Sequence, residues 1–263
     1  MPRLPRRLAH GESVTLVDHL TELRNRLLIA LVAVAVAFGF TYWQRHWIIE
    51  RLRDPLSDEF ELITLSPGEP FTTSFTVAFY AALAIALPIL IWQIWAFLAP
   101  AFEEASQAVV ARLVGAATIL LLAGMAFAYF VALPNILDFL LHFDEELYNT
   151  QIRAREYFGF TSLMLLAFGL MFELPIFILG LVRLGVLSAA KLRRNRRIGY
   201  GFCLIGVVFM PGVDFVTMAI QSAPIVLLFE ASIWLSVYFE RRWERAGLLW
   251  GRDWDDELAS GEA

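Results

Sequence analysis

Apolar residues fall into six long blocks, at about 27–47, 71–98, 110–133, 159–183, 198–216 and 219–238, separated by polar and proline-punctuated segments. Blocks of this length predict membrane-crossing helices, because about 20 residues at about 1.5 Å rise each traverse a hydrocarbon core of roughly 30 Å. Between the first two lies RLRDPLSDEFELITLSPGEP, residues 51–70, whose acids, prolines and glycine read as a loop. Between the third and fourth, PNILDFLLHFDEELYNTQIRAREY (134–157) is amphipathic and acidic. The last two blocks are short, and MPGVD at 210–214 between them reads as a tight turn that barely leaves the bilayer.

A different period precedes the first block. In SVTLVDHLTELRNRL, residues 13–27, Leu16, Leu20, Leu23 and Leu27 recur every three or four positions, while Asp18, His19, Glu22, Arg24, Asn25 and Arg26 take the other faces. This predicts an amphipathic surface helix, capped by Ser13, that leads into the first crossing. Residues 1–240 therefore read as one membrane domain, with 241–263 a charged tail, partly disordered.

Composition agrees with the blocks: 59% of residues are hydrophobic and 18% charged, with a mean hydropathy of +0.62. An ordinary soluble domain is excluded. The N-terminus has arginines but no apolar core followed by a small-residue cleavage site, so no removable signal peptide is expected. The single cysteine, Cys203, excludes an intrachain disulfide and a cysteine metal cluster, and no cofactor is expected. No basic block interleaved with aromatics points to nucleic acid.

The distribution of charge gives an orientation. Residues 1–26, the 99–112 and 183–197 loops and the tail carry sixteen lysines and arginines, against five on the other side, Arg45, Arg51, Arg53, Arg153 and Arg155. Because basic residues stay on the cytoplasmic side, both termini are expected in the cytoplasm. That result requires an even number of crossings, as the blocks give.

Two stretches carry candidate chemistry. LMLLAFGLMFELPIFILGLV (163–182) contains one ionisable residue, Glu173, near its middle. A charge there costs about 2.5 kcal/mol or more on insertion scales, so Glu173 must face protein, water or a partner. A protonated acid hydrogen-bonded inside the bundle is the purely structural alternative. Pro175, with Gly169 and Gly180, permits a bend. In the N-terminal helix, Asp18 and Glu22 stack four residues apart and repel each other, which favours a cation nearby; a local Glu22–Arg26 salt bridge is the alternative at the same spacing.

An enzyme is not expected. His10, His19, His46 and His142 lie outside the block centres, no HExxH occurs, and Asp214 has no aspartate partner. A secondary transporter with Glu173 as its ion or proton site is the competing function, although no internal repeat is visible.

HLTELRNRL (19–27), DPL (54–56), IWQIWAFLAPAF (91–102), GMAFAYFVALP (124–134), FGLMFELP (168–175) and LLFE (227–230) occur in that order. With these motifs the chain resembles TatC, the multispanning receptor subunit of the twin-arginine translocase. The resemblance implies an all-α membrane protein of six transmembrane helices in a glove-shaped concave bundle, both termini cytoplasmic, in the cell membrane. It implies binding of twin-arginine signal peptides of folded cargo proteins and recruitment of small single-span subunits, TatA- or TatB-like, into an oligomeric complex driven by the proton-motive force.

Site residues carry over one by one. Glu22 matches the family's N-terminal signal-binding glutamate, with Arg24 and His19 beside it. Phe97 matches the aromatic of the first cytoplasmic loop, and Pro55 a structural proline of the first outer loop. Glu173 matches the embedded glutamate that faces the concave side and meets partner helices. Two departures follow. The glutamate that ends the first cytoplasmic loop in the family is Ser106 here, and Glu103, three residues earlier, is expected to replace it. Polar positions between the last two helices fall at Pro211 and Met218, leaving Asp214 and Gln221 as the polar groups toward a partner.

Overall fold

The computed structural model describes residues 16–57, 60–98, 107–143, 146–147, 150–183, 186–212 and 214–245. Its helices are α1 (Leu16–Trp43), α2 (Arg45–Arg53), α3 (Glu69–Leu98), α4 (Gln107–Phe127), α5 (Leu133–His142), α6 (Ala154–Phe172), α7 (Leu174–Arg183), α8 (Ala189–Arg194), α9 (Arg196–Val208) and α10 (Phe215–Arg245). A π-helical turn, Ala128–Ala132, joins α4 to α5. Among the described residues, five helical segments are long and apolar enough to cross a membrane: Leu20–Trp43, Glu69–Phe97, Arg112–His142, Ala154–Arg183 and Phe215–Arg242.

The remaining expected crossing is α9. Its 13 residues make a rod of about 20 Å at about 1.5 Å per residue, short of the roughly 30 Å core. The apolar block at 198–216 does not continue as helix past Val208, because Pro211 cannot donate and Gly212 takes φ +103°. A side chain at Gly212 would be strained there, and its Cβ would lie 2.4 Å from Thr217 Cγ2.

Helix boundaries shift where packing overrides local polarity. No glycine or proline interrupts residues 16–38, so the amphipathic stretch and the first crossing merge into α1. The polar loop after it starts later than its composition suggests, because Ile48, Ile49 and Leu52 give α2 an apolar face against the core. At the far end, α10 runs on to Arg245 and takes in the first residues of the expected tail; residues 246–263 lie outside the described residues.

Pro55 explains how α2 ends. Proline lacks the N–H that would bond the Arg51 carbonyl, and the chain bends away before Leu56 can serve Leu52. Tyr129, on the π turn, donates its hydroxyl to the Arg51 carbonyl at 2.7 Å, and Tyr157 of α6 donates to that of Leu52 at 2.8 Å. Two hydroxyls from distant helices thus close a helix end that its own sequence leaves open.

Among the described residues, one short pairing of strands departs from the helical pattern. Leu62–Ile63 and Ile152–Arg153, strands β1 and β2, pair in parallel, Leu62 opposite Ile152 and Ile63 opposite Arg153. Beside them the buried Glu69 carboxylate accepts from Arg153 Nε at 3.0 Å, from the Leu65 N–H at 3.0 Å and from the Arg155 N–H at 3.3 Å. The Glu69 guanidinium partner holds the loop after α2 against the start of α6.

In the bundle, α1 lies on α3, α3 and α4 lie on α6, and α10 packs against α7 and α9. Thr41 Oγ1 donates to the Ala78 carbonyl at 2.8 Å and so ties α1 to α3 within the apolar layer. Helices α4 and α6 approach closely at Gly124, where a Cβ would stand 2.6 Å from the Phe168 carbonyl oxygen and 2.8 Å from Phe172 Cβ. Small residues let membrane helices approach this closely. Gly124→Ala is therefore expected to destabilise the fold by about 1–3 kcal/mol through overpacking. Gly39→Ala, where a Cβ meets nothing within 4 Å, should leave the thermal unfolding midpoint in detergent unchanged or higher. Equal midpoints for the two variants would contradict this packing.

Candidate functional site

Glu22 and Arg26 stand one turn apart on α1, the spacing at which helical side chains meet. Arg26 Nε donates to Glu22 Oε1 at 2.9 Å, and Arg26 Nη2 contacts the same oxygen. The local salt bridge open to the sequence is therefore present. It also reaches further, since Arg26 Nη2 donates to the Ala96 carbonyl at 3.0 Å and Nη1 to Gln93 Oε1 at 3.4 Å.

The reason lies in the end of α3. Its last carbonyls have no partner within the helix, and a cation suits the negative end of the helix dipole. Arg26 takes up the Ala96 carbonyl and brings the Glu22 carboxylate to the same rim as Phe97, the next residue of α3. The side chains of Glu22 and Arg26 are 25% and 14% exposed, so the pair is sheltered yet open on one side. Phe97 is half-buried and Arg24 is exposed. Arg24 lies two positions from Glu22, about 200° around the helix, and so points away from the face that carries Glu22 and Arg26.

Asp18 and His19 lie on α1 a turn before Glu22. Glu103, Glu104 and Ser106 lie outside the described residues, as does Ser13. Sequence reasoning did not single out Gln93 or the Ala96 carbonyl, although both belong to the IWQIWAF stretch that carried the resemblance.

Glu173 occupies a different place. It sits at the interruption between α6 and α7, where its N–H reaches the Leu170 and Met171 carbonyls and its carbonyl accepts from Ile176 and Phe177. Pro175, buried, follows at the start of α7, where a missing N–H costs nothing. The expected bend is thus a one-residue break at FELP. The Glu173 side chain is 1% exposed, and its Oε1 has no hydrogen-bond partner in the protein. The expectation placed this carboxyl on an open concave surface; the structure encloses it.

Asp214 and Gln221 serve the turn between α9 and α10. Asp214 Oδ1 accepts the Thr217 N–H at 2.7 Å, as an acidic cap at the head of α10 does. Gln221 Nε2 donates to the Pro211 carbonyl at 2.6 Å, and Gln221 is fully buried with Oε1 unpartnered in the protein. Both side chains thus hold the turn around Gly212. Pro55, half-buried, ends α2 as described above.

Comparison with known proteins bears on this arrangement. The family of Sec-independent protein translocase proteins (TatC) matches residues 18–224. A TatC protein of Deinococcus radiodurans is 34% identical over 239 residues, covering 86% of this chain and 87% of the relative. One from Aquifex aeolicus is 33% identical over 235 residues, covering 86% and 96%. A crystal structure of the twin arginine translocase receptor TatC in DDM superposes with a TM-score of 0.76 at 31% identity, covering 83% of this chain and 99% of that one.

Proposed function

Because the chain belongs to the TatC family of Sec-independent protein translocases, we propose that it recognises signal peptides bearing two adjacent arginines at the rim formed by Glu22, Arg26 and the end of α3. The observation that supports this is the guanidinium already on Glu22. A carboxylate held half-open beside helix-end carbonyls is suited to guanidinium, through charge-assisted hydrogen bonds that a lysine ammonium does not match in geometry. A signal-peptide arginine exchanges with Arg26 or adds beside it, with Phe97 offering an apolar contact and His19 and Glu103 extending the surface, while Arg24, on the other face of α1, is left to order the loop opposite.

Glu173 has a separate role in this reading. A buried carboxyl at a helix break offers a hydrogen-bond site to a polar group on a small single-span subunit once the surrounding helices part. Asp214 and Gln221, at the head of α10, support the turn against which such a subunit sits. The complex is oligomeric and uses the proton-motive force.

The direct test is a binding titration of the purified protein with a fluorescent signal peptide and its twin-lysine counterpart. The lysine peptide is expected to bind about tenfold more weakly or worse, since bidentate recognition is lost. Equal affinities would sink the assignment.

Orientation is tested separately. Both termini and the 184–197 loop are proposed to be cytoplasmic, on the asymmetry of basic residues. In a Cys203→Ser background, a cysteine at the exposed Ser57 is expected to react with an impermeant maleimide added outside the cell, and one at Asn195 only after the membrane is opened. The reverse pattern would overturn the topology.

A further inference from the structure

We propose that the cavity between α7, α8, α9 and α10 binds an anionic glycerophospholipid, with one acyl chain in the cavity and the phosphate at Lys191. The cavity measures about 420 Å³, within the roughly 300–1,000 Å³ of small-ligand sites. Its wall is apolar, from Ile178 of α7, Phe202 and Cys203 of α9 and Phe229 of α10. Lys191 and Asn195 also line it, and both are exposed.

Charge selects the headgroup. Residues 191–197 read KLRRNRR, five basic residues in seven, and Lys191, Arg193, Arg194 and Arg197 are exposed. Two acids on the facing helix α10 have other partners. Glu230 accepts from the Tyr200 hydroxyl at 2.5 Å and pairs with Arg196 at 3.4 Å, while Glu240 accepts the Ala189 N–H at 2.8 Å. A basic rim over an apolar pocket between membrane helices suits an anionic lipid: the phosphate meets lysine, and the Asn195 amide can donate to a phosphate or ester oxygen.

Two simpler accounts make different predictions. Basic residues beside a membrane helix also fix topology, and an apolar crevice facing the bilayer accepts acyl chains of any lipid. Neither gives headgroup selectivity at one place. A partner helix, about 10 Å across with its side chains, is too wide to sit inside a cavity of this size and would lie across its mouth.

The experiment uses the full chain in detergent, titrated with phosphatidylglycerol or phosphatidylethanolamine, each carrying a diazirine in one acyl chain, with labelled peptides mapped after illumination. Phosphatidylglycerol is expected to label the Phe202–Cys203 region in preference to the exposed apolar face of α1. Lys191→Gln should reduce that labelling about fivefold, the equivalent of about 1 kcal/mol for one basic residue near an anionic headgroup, and leave phosphatidylethanolamine labelling unchanged. Ile198→Trp, at a cavity-lining residue that is 60% exposed, should reduce labelling by both lipids. The unfolding midpoints of both variants are measured alongside and are expected to stay native-like, since both positions are exposed.

Labelling that is equal for the two lipids and indifferent to both substitutions is ordinary annular contact and overturns the proposal. So does the finding that the variants lower co-purification of a single-span subunit without altering lipid labelling, which would give the cavity to a partner.

Discussion

Glu22→Ala is expected to weaken binding of a twin-arginine signal peptide by roughly 10- to 150-fold, while the protein stays inserted and folded. Hydrogen bonds to a charged group contribute about 1.5–3 kcal/mol, and each tenfold in affinity is about 1.4 kcal/mol. The fold should tolerate the change because Glu22 is 25% exposed and its partner Arg26 keeps the Ala96 carbonyl and Gln93. Arg26→Gln is the informative companion. It removes the guanidinium that competes for Glu22, and a partly exposed pair is worth about 0.2–1 kcal/mol, so affinity should rise by up to about fivefold. Anisotropy titrations of the two variants decide the matter: native affinity in Glu22→Ala would remove this carboxylate from recognition.

The second large effect separates stability from transport. Glu173→Leu is expected to abolish export of a reporter carrying a twin-arginine signal, while leaving peptide binding intact and the unfolding midpoint unchanged or raised. The carboxyl is 1% exposed with an oxygen that no protein group satisfies. Such a group costs about 1–3 kcal/mol relative to a satisfied one, so an apolar side chain of similar size relieves the fold. A residue whose removal stabilises and yet silences the protein is kept for its work, here the proposed contact with a partner helix. Full export by Glu173→Leu would falsify that role, and loss of peptide binding would merge two sites that this structure holds apart.

The crossings were legible in the sequence because hydropathy depends on composition over twenty residues, which no tertiary contact alters. Helix ends were less legible, and α2 shows why. Its closing hydroxyls come from Tyr129 and Tyr157, 78 and 105 positions after their acceptors, a distance over which local polarity is silent. The candidate site divides in the same way. The Glu22–Arg26 pair follows from four-residue spacing alone, whereas Gln93 and the Ala96 carbonyl lie 67 and 70 positions away and required the packing of α1 on α3. A charge in the middle of an apolar run announced Glu173. Whether it faces outward or inward depends on the rotation of α6 and α7 against their neighbours, which hydropathy does not encode.

The small parallel pairing of β1 with β2 has a bearing on how the chain is assembled during synthesis. Glu69 and Arg153 are 84 positions apart, and α3, α4 and α5 lie between them. A contact that closes so long a loop forms late, since the entropy of closure must be met before the contact rewards it. The first three crossings are therefore expected to precede this clasp, and the arrival of residues 152–155 to join the loop before α3 to the start of α6. The α9–α10 hairpin, later in the chain, contributes no strand to this clasp, and its contacts with α7 are expected to form after it.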